Sequence, residues 1–429
     1  MSLRNAMNAG VSGLTTEGSA LGVVGDNVAN INTVGFKRSR SVFETVLGGA
    51  VGRPDALGQG VRMARTQQIF AQGALLTTGQ PTDVALSGDG FFVVQGSIDG
   101  VRGTFYSRAG QTTVRNDGML VNPQGLALQG YSANSDGTFS SALGPIQVPT
   151  SGLPPRATGA IGIGSNLDSM AATPTGAWDP TNPGTTSNFS TSITTYDSLG
   201  NAHAVNVYFR KTAANTWEYH ALVNGSELTG GTAGRATEVA AGTLNFNTSG
   251  ALQTHTVTTP GTVSFVGARP GQTMTFDFGT AIAAGGTGLD GLTQFASPST
   301  VTAQKQDGYG PGDLNGVHID ASGTVSGVFS NGQTVAMGKL AIARFRSNDG
   351  LGRMGHNLWS ATYDSGEAAV GAAGEGGRGA IVAGALEQSN VDITQQFVEL
   401  IGHQRSFQAN SKTITTADQM LQELMNINR

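Results

Sequence analysis

Both ends of the chain carry apolar residues at heptad spacing, and this pattern constrains the fold more than any other feature. Near the front the steps alternate between four and three, and a longer run of the same kind begins at Ile393. Such spacing forms one narrow stripe along a helix, and a narrow stripe packs on a partner helix rather than on a thick globular core. We therefore expect two terminal helices that pair as a coiled coil. The stripe residues are Leu3, Met7, Leu14, Leu21, Val24, Val28 and Ile31 at the front, and Ile393, Phe397, Leu400, Phe407, Ile414, Leu421 and Leu424 at the back.

The alternative is that each terminal helix simply lies on a globular body. The C-terminal pattern argues against this, since it would form a rod of roughly 55 Å at about 1.5 Å per residue, longer than one domain normally needs. Each glycine in the N-terminal segment costs a helix about 1 kcal/mol relative to alanine, so this helix is expected to order only when it docks. These glycines are Gly10, Gly13, Gly18, Gly22 and Gly25.

The composition excludes several functional classes. A chain of 429 residues is expected to form several domains, because single cores rarely grow beyond about 250–300 residues. With 64 glycines and only 12% charged residues, it favours many short strands over a helical enzyme. A net charge of −5 argues against a nucleic-acid partner, and the absence of cysteine excludes disulfides and thiol catalysis. No apolar run is long enough to span a membrane, and the start lacks a signal-peptide pattern, so we do not expect a cleaved signal peptide.

The interior of the chain reads as two β-domains, one inserted in the other. Short alternating runs bounded by glycine, asparagine and aspartate indicate strands and tight turns, and a threonine- and serine-rich middle region indicates an inserted β-sandwich or small barrel. The fold class is therefore mainly β with helical termini. The predicted divisions are a terminal helical domain at 1–31 and 391–429, a linking segment at 32–70, a discontinuous β-domain at 71–147 and 302–390, and an inserted outer β-domain at 148–301.

Local signals make four finer predictions. Glycines in the linking segment are expected to interrupt any long element there, and the glycine-rich stretch Gly366–Gly379 is expected to be a flexible passage. The run Asp83–Val94 predicts two strands joined by a tight turn. Ser389 or Asn390 is the predicted N-cap of the last helix.

Four segments resemble the bacterial flagellar rod and hook family. The strongest is the run NVANINTVGFK from Asn27 to Lys37, and the others are Thr82–Val94 (TDVALSGDGFFVV), Tyr106–Tyr131 and Gly384–Leu400 (GALEQSNVDITQQFVEL). The middle region resembles the hook members rather than the shorter distal rod members. The segments that carry this distinction are Thr194–Phe209, Gly242–Leu252 and Leu292–Gly310.

The resemblance implies a structural subunit that polymerises with copies of itself into a flexible curved tube, transmitting motor torque from rod to filament. It implies export by the flagellar type III apparatus to an extracellular position in the hook and basal body. The implied partners are the rod, hook cap and hook–filament junction proteins, with no cofactor. The stripe residues given above are then the expected polymerisation residues. A distal rod protein is the alternative within the family.

The family motif predicts a turn that ends the first helix. Gly35 permits a backbone conformation closed to other residues, and Phe36 is expected to anchor the turn in an apolar contact. The alternative is a helix C-cap with no role between subunits. Lys37 is expected either to pair with acidic residues of a neighbouring subunit or to be solvated. The turn residues are Asn30, Asn32, Thr33, Gly35, Phe36 and Lys37.

Neither an enzyme nor a metal protein is indicated. The histidines lie far apart without a metal-binding spacing, and no GxSxG elbow is present, so no catalytic, cofactor or metal residues are predicted. The alternative from another class is a secreted carbohydrate-binding β-protein, with Trp178, Trp217 or Tyr219 as the stacking residue. Such a protein has no need for two long terminal helices, which distinguishes the two hypotheses.

Overall fold

The computed structural model describes residues 3–48, 57–134 and 137–427, and the side chains of Leu3 and Leu424 lie outside the described part. The chain forms two compact units. The terminal unit comprises Met1–Thr150, Asn315–Val328 and Thr334–Arg429, and the inserted unit comprises Ser151–Leu314 and Phe329–Gln333. The finer division of the terminal unit into helical, linking and β-domains stays a prediction.

Three segments of the described chain are α-helical: α1 (Leu3–Ala29), the single turn α2 (Pro183–Thr186) and α3 (Ile393–Ile427). The predicted terminal helices are therefore confirmed, and α1 packs against α3. The predicted N-cap is wrong by two or three residues. Asp392 caps α3, because its Oδ1 accepts a hydrogen bond of 3.0 Å from the Gln395 amide. The Asn390 side chain instead accepts a hydrogen bond from the Arg38 amide.

In the terminal unit, α1 is followed by a long β-hairpin and then by a mixed set of short strands. The strands are β1 (Ser39–Gly48), β2 (Leu57–Gln68), β3 (Leu75–Thr77), β4 (Val84–Ser87), β5 (Phe91–Ile98), β6 (Val101–Ser107), β7 (Thr113–Val114), β8 (Leu120–Val121), β9 (Ala127–Ala133) and β10 (Phe139–Pro145). Antiparallel pairing of β1 with β2 runs from Ser39 opposite Gln68 to Gly48 opposite Leu57. The prediction that glycines interrupt long elements in the linking segment is therefore wrong, since cross-strand pairing tolerates them at bulges.

The inserted unit contains the next set of strands: β11 (Ala160–Asn166), β12 (Phe189–Tyr196), β13 (Ala202–Ala213), β14 (Thr216–Asn224), β15 (Ala236–Phe246), β16 (Leu252–Thr259), β17 (Thr262–Val263), β18 (Gln272–Thr273), β19 (Thr275–Asp277), β20 (Leu292–Thr293) and β21 (Thr300–Gln306). Strands β12 to β16 form a five-stranded antiparallel meander, and β11 joins β19, β20 and β21 in a four-stranded sheet. One core contains residues of both sheets, including Ile161 of the second and Val207 and Trp217 of the first. The prediction of an inserted β-sandwich or small barrel is confirmed, with two sheets that share one core.

The chain then returns to the terminal unit through β22 (Leu314–Ile319), β23 (Thr324–Phe329), β24 (Thr334–Arg344), β25 (Gly352–Gly355), β26 (Leu358–Ser360), β27 (Ala369–Ala372), β28 (Ala380–Ala383) and β29 (Ala385–Glu387). A twelve-stranded sheet contains eight strands in the order β22-β23-β24-β9-β5-β6-β26-β25. Its other four strands, β7, β8, β10 and β27, pair off this main path. Aromatic side chains fill one of its cores, where Phe91 lies 5.4 Å from Trp359 and 5.9 Å from Phe345 between ring centroids.

The prediction of two strands joined by a short turn at Asp83–Val94 is confirmed, whereas the prediction of a flexible glycine-rich passage is wrong. Strands β4 and β5 form as predicted, but β4 pairs with β28 and β5 with β6, β9 and β24. The stretch predicted to be a flexible passage contains β27, which pairs antiparallel with β24. There the Arg378 Nε donates a hydrogen bond of 2.9 Å to the Ala372 carbonyl, which closes the glycine-rich turn.

Candidate functional site

The two terminal helices pack antiparallel along a seam that contains polar pairs as well as apolar residues. Contacts run from Asn27 with Gln396 at one end to Gly10 with Ile414 towards the other. Midway, the Glu17 carboxylate lies 2.6 Å from His403 Nδ1, and both side chains are largely buried. Because these polar groups are matched across the seam, they specify the register of the two helices more strongly than an apolar stripe could.

Two of the N-terminal glycines permit this close packing. A Cβ at Gly10 would lie 2.9 Å from Ile414 Cγ1, and one at Gly13 would lie 2.6 Å from Asn410 Nδ2. Gly18, Gly22 and Gly25 have nothing within 4 Å of such a Cβ. The glycines of α1 therefore have two structural roles, since the first two allow the helices to approach and the others leave the outer face bare.

The β1–β2 hairpin supports the opposite side of α1. The Ser12 hydroxyl accepts a hydrogen bond of 3.2 Å from the Val61 amide, and the Thr16 hydroxyl donates one of 3.3 Å to the Val61 carbonyl. The Phe43 ring of β1 contacts the His403 ring edge-on at 6.2 Å. Helix α1 is thus held between α3 and the hairpin, which explains how a glycine-rich helix stays ordered.

The predicted stripe residues occupy different environments on the two helices. On α1, Val24 is buried, and four others are half-buried, namely Met7, Leu14, Leu21 and Val28; Ile31, which follows the helix, is half-buried as well. On α3, Leu400 and Ile414 are half-buried, whereas four others stay exposed, namely Ile393, Phe397, Phe407 and Leu421. Intramolecular pairing therefore does not use the whole stripe. The role of these residues in polymerisation stays a prediction, and the side chains of Leu3 and Leu424 lie outside the described residues.

A buried asparagine begins the polar junction at the base of the helix pair. The Asn27 side chain donates hydrogen bonds to the Ser39 carbonyl at 2.7 Å and to Gln396 Oε1 at 2.8 Å, and its Oδ1 accepts one of 2.8 Å from the Ser39 amide. Asn27 is fully buried. One side chain therefore joins α1, the hairpin and α3, and no apolar residue could satisfy the same backbone groups.

The centre of the junction is a buried ion cluster. The Lys37 Nζ lies 2.6 Å from Glu387 Oε1, and Arg108 Nη1 lies 3.2 Å from Glu387 Oε2, with side-chain exposure of 2% or less for all three. Glu387 also accepts a 2.9 Å hydrogen bond from the Gly73 amide, and Lys37 donates one of 2.8 Å to the Ala71 carbonyl. Burial lowers the pKa of Lys37 and of Arg108, and the Glu387 carboxylate opposes both shifts.

This cluster corrects the prediction for Lys37, which neither faces a neighbouring subunit nor is solvated. Its partner is a residue of the same chain that follows it by 350 positions. Because Glu387 lies in β29 and the helix α3 begins shortly after it, the cluster connects the exit of the first helix with the entry of the last. Breaking such a buried pair costs more than its formation stabilises, so the cluster chiefly specifies this connection.

Of the other turn residues, Gly35 contacts the cluster directly. Gly35 has φ of +69°, a Cβ there would lie 2.6 Å from the Ala109 nitrogen, and its amide donates a 2.7 Å hydrogen bond to the Glu387 carbonyl. Phe36 is buried and Asn32 is exposed. Asn30 accepts a 3.0 Å hydrogen bond from the Thr33 hydroxyl, which closes the turn locally.

Asn390 completes the junction by bonding three backbone groups. Its Oδ1 accepts a 2.7 Å hydrogen bond from the Arg38 amide, and its Nδ2 donates to the carbonyls of Ile69 at 2.7 Å and Ala71 at 2.9 Å. Sequence reasoning missed Arg108, Glu387 and Asn390 as junction residues. The available signal was that all three lie inside segments that carry the family resemblance, yet nothing in their local spacing points to Lys37.

The three aromatic residues considered for sugar binding all pack against other side chains of the chain. Trp217 and Tyr219 are buried in the core of the inserted unit, so the prediction that either could stack on a sugar is wrong. Trp178 is stacked on His220 at 4.0 Å between ring centroids. In the described ranges, no group of three or more histidine, cysteine or acidic side chains could hold a metal ion. None of the helices described combines the length and apolar character needed to cross a membrane.

Four models of flagellar protein families match successive segments of the chain. Family models match residues 7–37 (flagella basal body rod protein), 85–176 (flagellar hook protein FlgE/F/G D1 domain), 166–309 (flagellar basal body protein FlaE D2 domain) and 382–427 (flagellar basal body rod FlgEFG protein, C-terminal). The first match contains α1 from residue 7 onward with the turn that follows it, and the last contains the end of β28, all of β29 and α3.

Full-length relatives and a solved structure are also flagellar hook proteins. The flagellar hook protein FlgE of Salmonella typhimurium is 36% identical over 97% of this chain and 98% of its own length. That of Treponema pallidum is 35% identical over the full length of both chains. The crystal structure of Helicobacter pylori flagellar hook protein FlgE2 shares the fold, with a TM-score of 0.50 and 16% identity over 73% of this chain and 100% of its own. The chain therefore belongs to the flagellar hook protein family, a family of structural subunits of the flagellum.

Proposed function

We propose that this chain polymerises by packing the uncovered apolar side chains of α3 against neighbouring copies, and that the resulting tube transmits torque as a flagellar hook. The observation that carries the proposal is a cluster on the first two turns of α3. There Ile393, Phe397, Val398 and Ile401 are between 45% and 67% exposed although α3 is already paired with α1.

The exposed cluster is stabilising only when another surface covers it. Burying a large apolar side chain contributes about 1.5–3 kcal/mol, so these residues together represent a substantial driving force for association. The polar pairs in the seam between α1 and α3 support the same view. Their side chains satisfy each other within one copy, which leaves the apolar residues for contacts between copies.

The buried junction supports a mechanical role. Torque that enters through the helices must reach the β-domain through the chain segments that join them, and the Lys37–Glu387–Arg108 cluster cross-links those segments. The low charge of the chain, with 12% charged residues, favours shallow hydrated contacts that shift at little energetic cost as the tube bends. The buried ionisable groups of the junction are used for this connection, and we propose a structural rather than a catalytic role.

The finer assignments rest on family membership. The proposed partners are further copies of this chain, the rod, hook cap and hook–filament junction proteins, and the type III export apparatus. The proposed location is the extracellular hook, reached by that export route without a cleaved signal peptide. The conclusion that most needs a test is polymerisation through α3.

Electron microscopy of the purified full chain under polymerising salt conditions tests it. We expect tubes from the wild type, and none from the double variant Phe397→Gln/Ile401→Gln or from a version that lacks residues 1–31 and 391–429. Glutamine is a good helix former, so α3 should stay helical by circular dichroism. The matched control is Val257→Gln, which replaces a 54% exposed apolar residue of the inserted unit and should leave tubes intact. Tubes from the double variant at wild-type yield would refute the proposal.

A further inference from the structure

The hairpin formed by β25 and β26 ends in a strained two-residue turn. Gly355 pairs with Leu358, so His356 and Asn357 form the turn between the two strands. Their φ angles are +52° and +57°, in the left-handed region that residues with a Cβ rarely adopt. In hairpin turns of this kind the favoured second residue is glycine. An asparagine there costs free energy that a glycine would not, and its side chain has to offset this cost through its contacts.

The Asn357 side chain contacts the turn that follows α1. Its Nδ2 donates a hydrogen bond of 3.0 Å to the Val34 carbonyl. The N–H of the same peptide group belongs to Gly35 and donates a hydrogen bond of 2.7 Å to the Glu387 carbonyl of β29. Because the C=O and N–H of a trans peptide group point in opposite directions, this group is held from two sides. Its plane is therefore fixed by the β25–β26 turn together with β29.

The β25–β26 turn is itself attached to β6. The Ser107 hydroxyl donates a hydrogen bond of 3.1 Å to the Asn357 carbonyl and accepts one of 3.1 Å from the Ala109 amide. Ser107 is buried, and it is followed directly by Arg108 of the ion cluster. Asn357 thus bonds Val34 through its side chain and Ser107 through its backbone, which connects the exit of α1 to β6.

The charged groups near this contact contribute little to it. A cleft of about 160 Å³ lies between the hairpin and the end of α1, lined largely by polar side chains such as Asp26 and Arg353. The Arg353 Nη2 lies 3.7 Å from Asp26 Oδ2, and both side chains are about half exposed, so water screens the pair. The His356 Nε2 lies 3.3 Å from Asp99, an exposed carboxylate in the connection between β5 and β6. The Asn357 hydrogen bond is the short and directed contact between the hairpin and the turn after α1.

We propose that the β25–β26 turn is a latch and that Asn357 is its positioning residue: the side chain holds the peptide group between Val34 and Gly35 and so fixes the direction in which the chain leaves α1. Glycine at position 357 would suit the hairpin backbone better but would leave the Val34 carbonyl without this donor. Hairpin stability and positioning therefore make opposite demands on this residue. In the tube, the latch would let the helix pair pass force to the β-strands without slack, a consequence that rests on the function proposed above.

Amide hydrogen exchange of the full chain separates the two demands. Asn357→Gly removes both the strain and the donor, so protection of the Gly35 and Phe36 amides should fall about fivefold to tenfold, while protection of β25 and β26 stays constant or rises. A residue that served only the hairpin would give no such fall. Unchanged protection of the Gly35 and Phe36 amides in this variant would overturn the proposal.

Two further variants assign the effect to the side-chain donor. Asn357→Asp keeps the size but replaces the donor by a second acceptor that faces the Val34 carbonyl, so it should lower protection of Gly35 and Phe36 at least as much. The matched control is His356→Gly, which relieves the strain at the neighbouring position and should leave that protection unchanged. An equal fall in the control and in Asn357→Asp would refute the assignment to Asn357.

Electron microscopy of assembled tubes tests the mechanical consequence. Asn357→Gly leaves the apolar cluster of α3 intact, so tubes should form at wild-type yield but with a shorter persistence length. A persistence length equal to that of the wild type would overturn the mechanical role of the latch. Absence of tubes from the wild type would instead count against the proposed function, and the exchange measurement would still decide whether Asn357 positions the turn.

Discussion

Replacing Glu387 by glutamine is the most direct test of the buried junction. Glutamine keeps the size of the side chain and one oxygen acceptor, but it leaves Lys37 and Arg108 buried without a counter-charge. Removing one partner of a buried ion pair costs about 3–5 kcal/mol. An upper bound for Lys37 follows from deprotonation, because an amine with an ordinary pKa of 10.5 becomes neutral at pH 7 for about 4.8 kcal/mol. We therefore expect Glu387→Gln to lower the free energy of unfolding of the terminal unit by about 3–5 kcal/mol.

The pH dependence of this deficit has a defined sign. Burial already lowers the pKa of Lys37, and loss of the Glu387 carboxylate would lower it further. Between the folded pKa and 10.5, the unfolded chain binds more protons than the folded chain, so stability at this site rises with pH. The deficit of Glu387→Gln should therefore shrink as the pH is raised from 7 towards about 10.

Native-state amide exchange of peptides from β5 measures the free energy for the terminal unit alone, which a global unfolding curve of a two-unit chain would not. The matched control is Glu367→Gln, an exposed glutamate of the same unit, which should change it by less than about 0.5 kcal/mol. The reasoning is refuted if Glu387→Gln behaves like the control, or if its deficit grows as the pH rises.

Four further predictions concern single positions. Gly35→Ala would place a Cβ 2.6 Å from a backbone nitrogen at a residue with φ of +69°, so the same exchange assay should show that the free energy of unfolding falls by about 2–4 kcal/mol. A fall of less than about 1 kcal/mol would contradict this prediction. Gly22→Ala fills open space and should gain about 1 kcal/mol of helix stability in α1, whereas Gly13→Ala should lose protection there; equal effects would count against the close packing. Asn390→Ala removes three backbone hydrogen bonds and should cost about 2–3 kcal/mol, and an unchanged exchange rate would disprove its role. Burial raises the pKa of Tyr219 from 10.0 to about 12, so the stability of the inserted unit, measured from its own transition in urea, should fall as the pH rises through that range, and Tyr219→Phe should reduce the fall.

Local periodicity was enough to predict several elements. The heptad spacing of residues such as Val24 and Ile414 predicted both terminal helices and their pairing, because helical phase depends only on neighbours three and four positions away. Alternation in segments such as Ala202–Ala213 likewise predicted strands of the sandwich. The family motif showed where the first helix ends, since Gly35 has the positive φ expected for the turn.

What the sequence by itself determined is therefore the type and order of elements and the meeting of the two ends. Only the tertiary structure decided that β4 pairs with β28, that Glu17 contacts His403 across the helix seam, and that Lys37 forms an ion pair with Glu387. The physical reason is distance along the chain. Whether a charge is buried and which strand edge is free depend on how the whole chain packs, and neither leaves a periodic trace in the residues nearby.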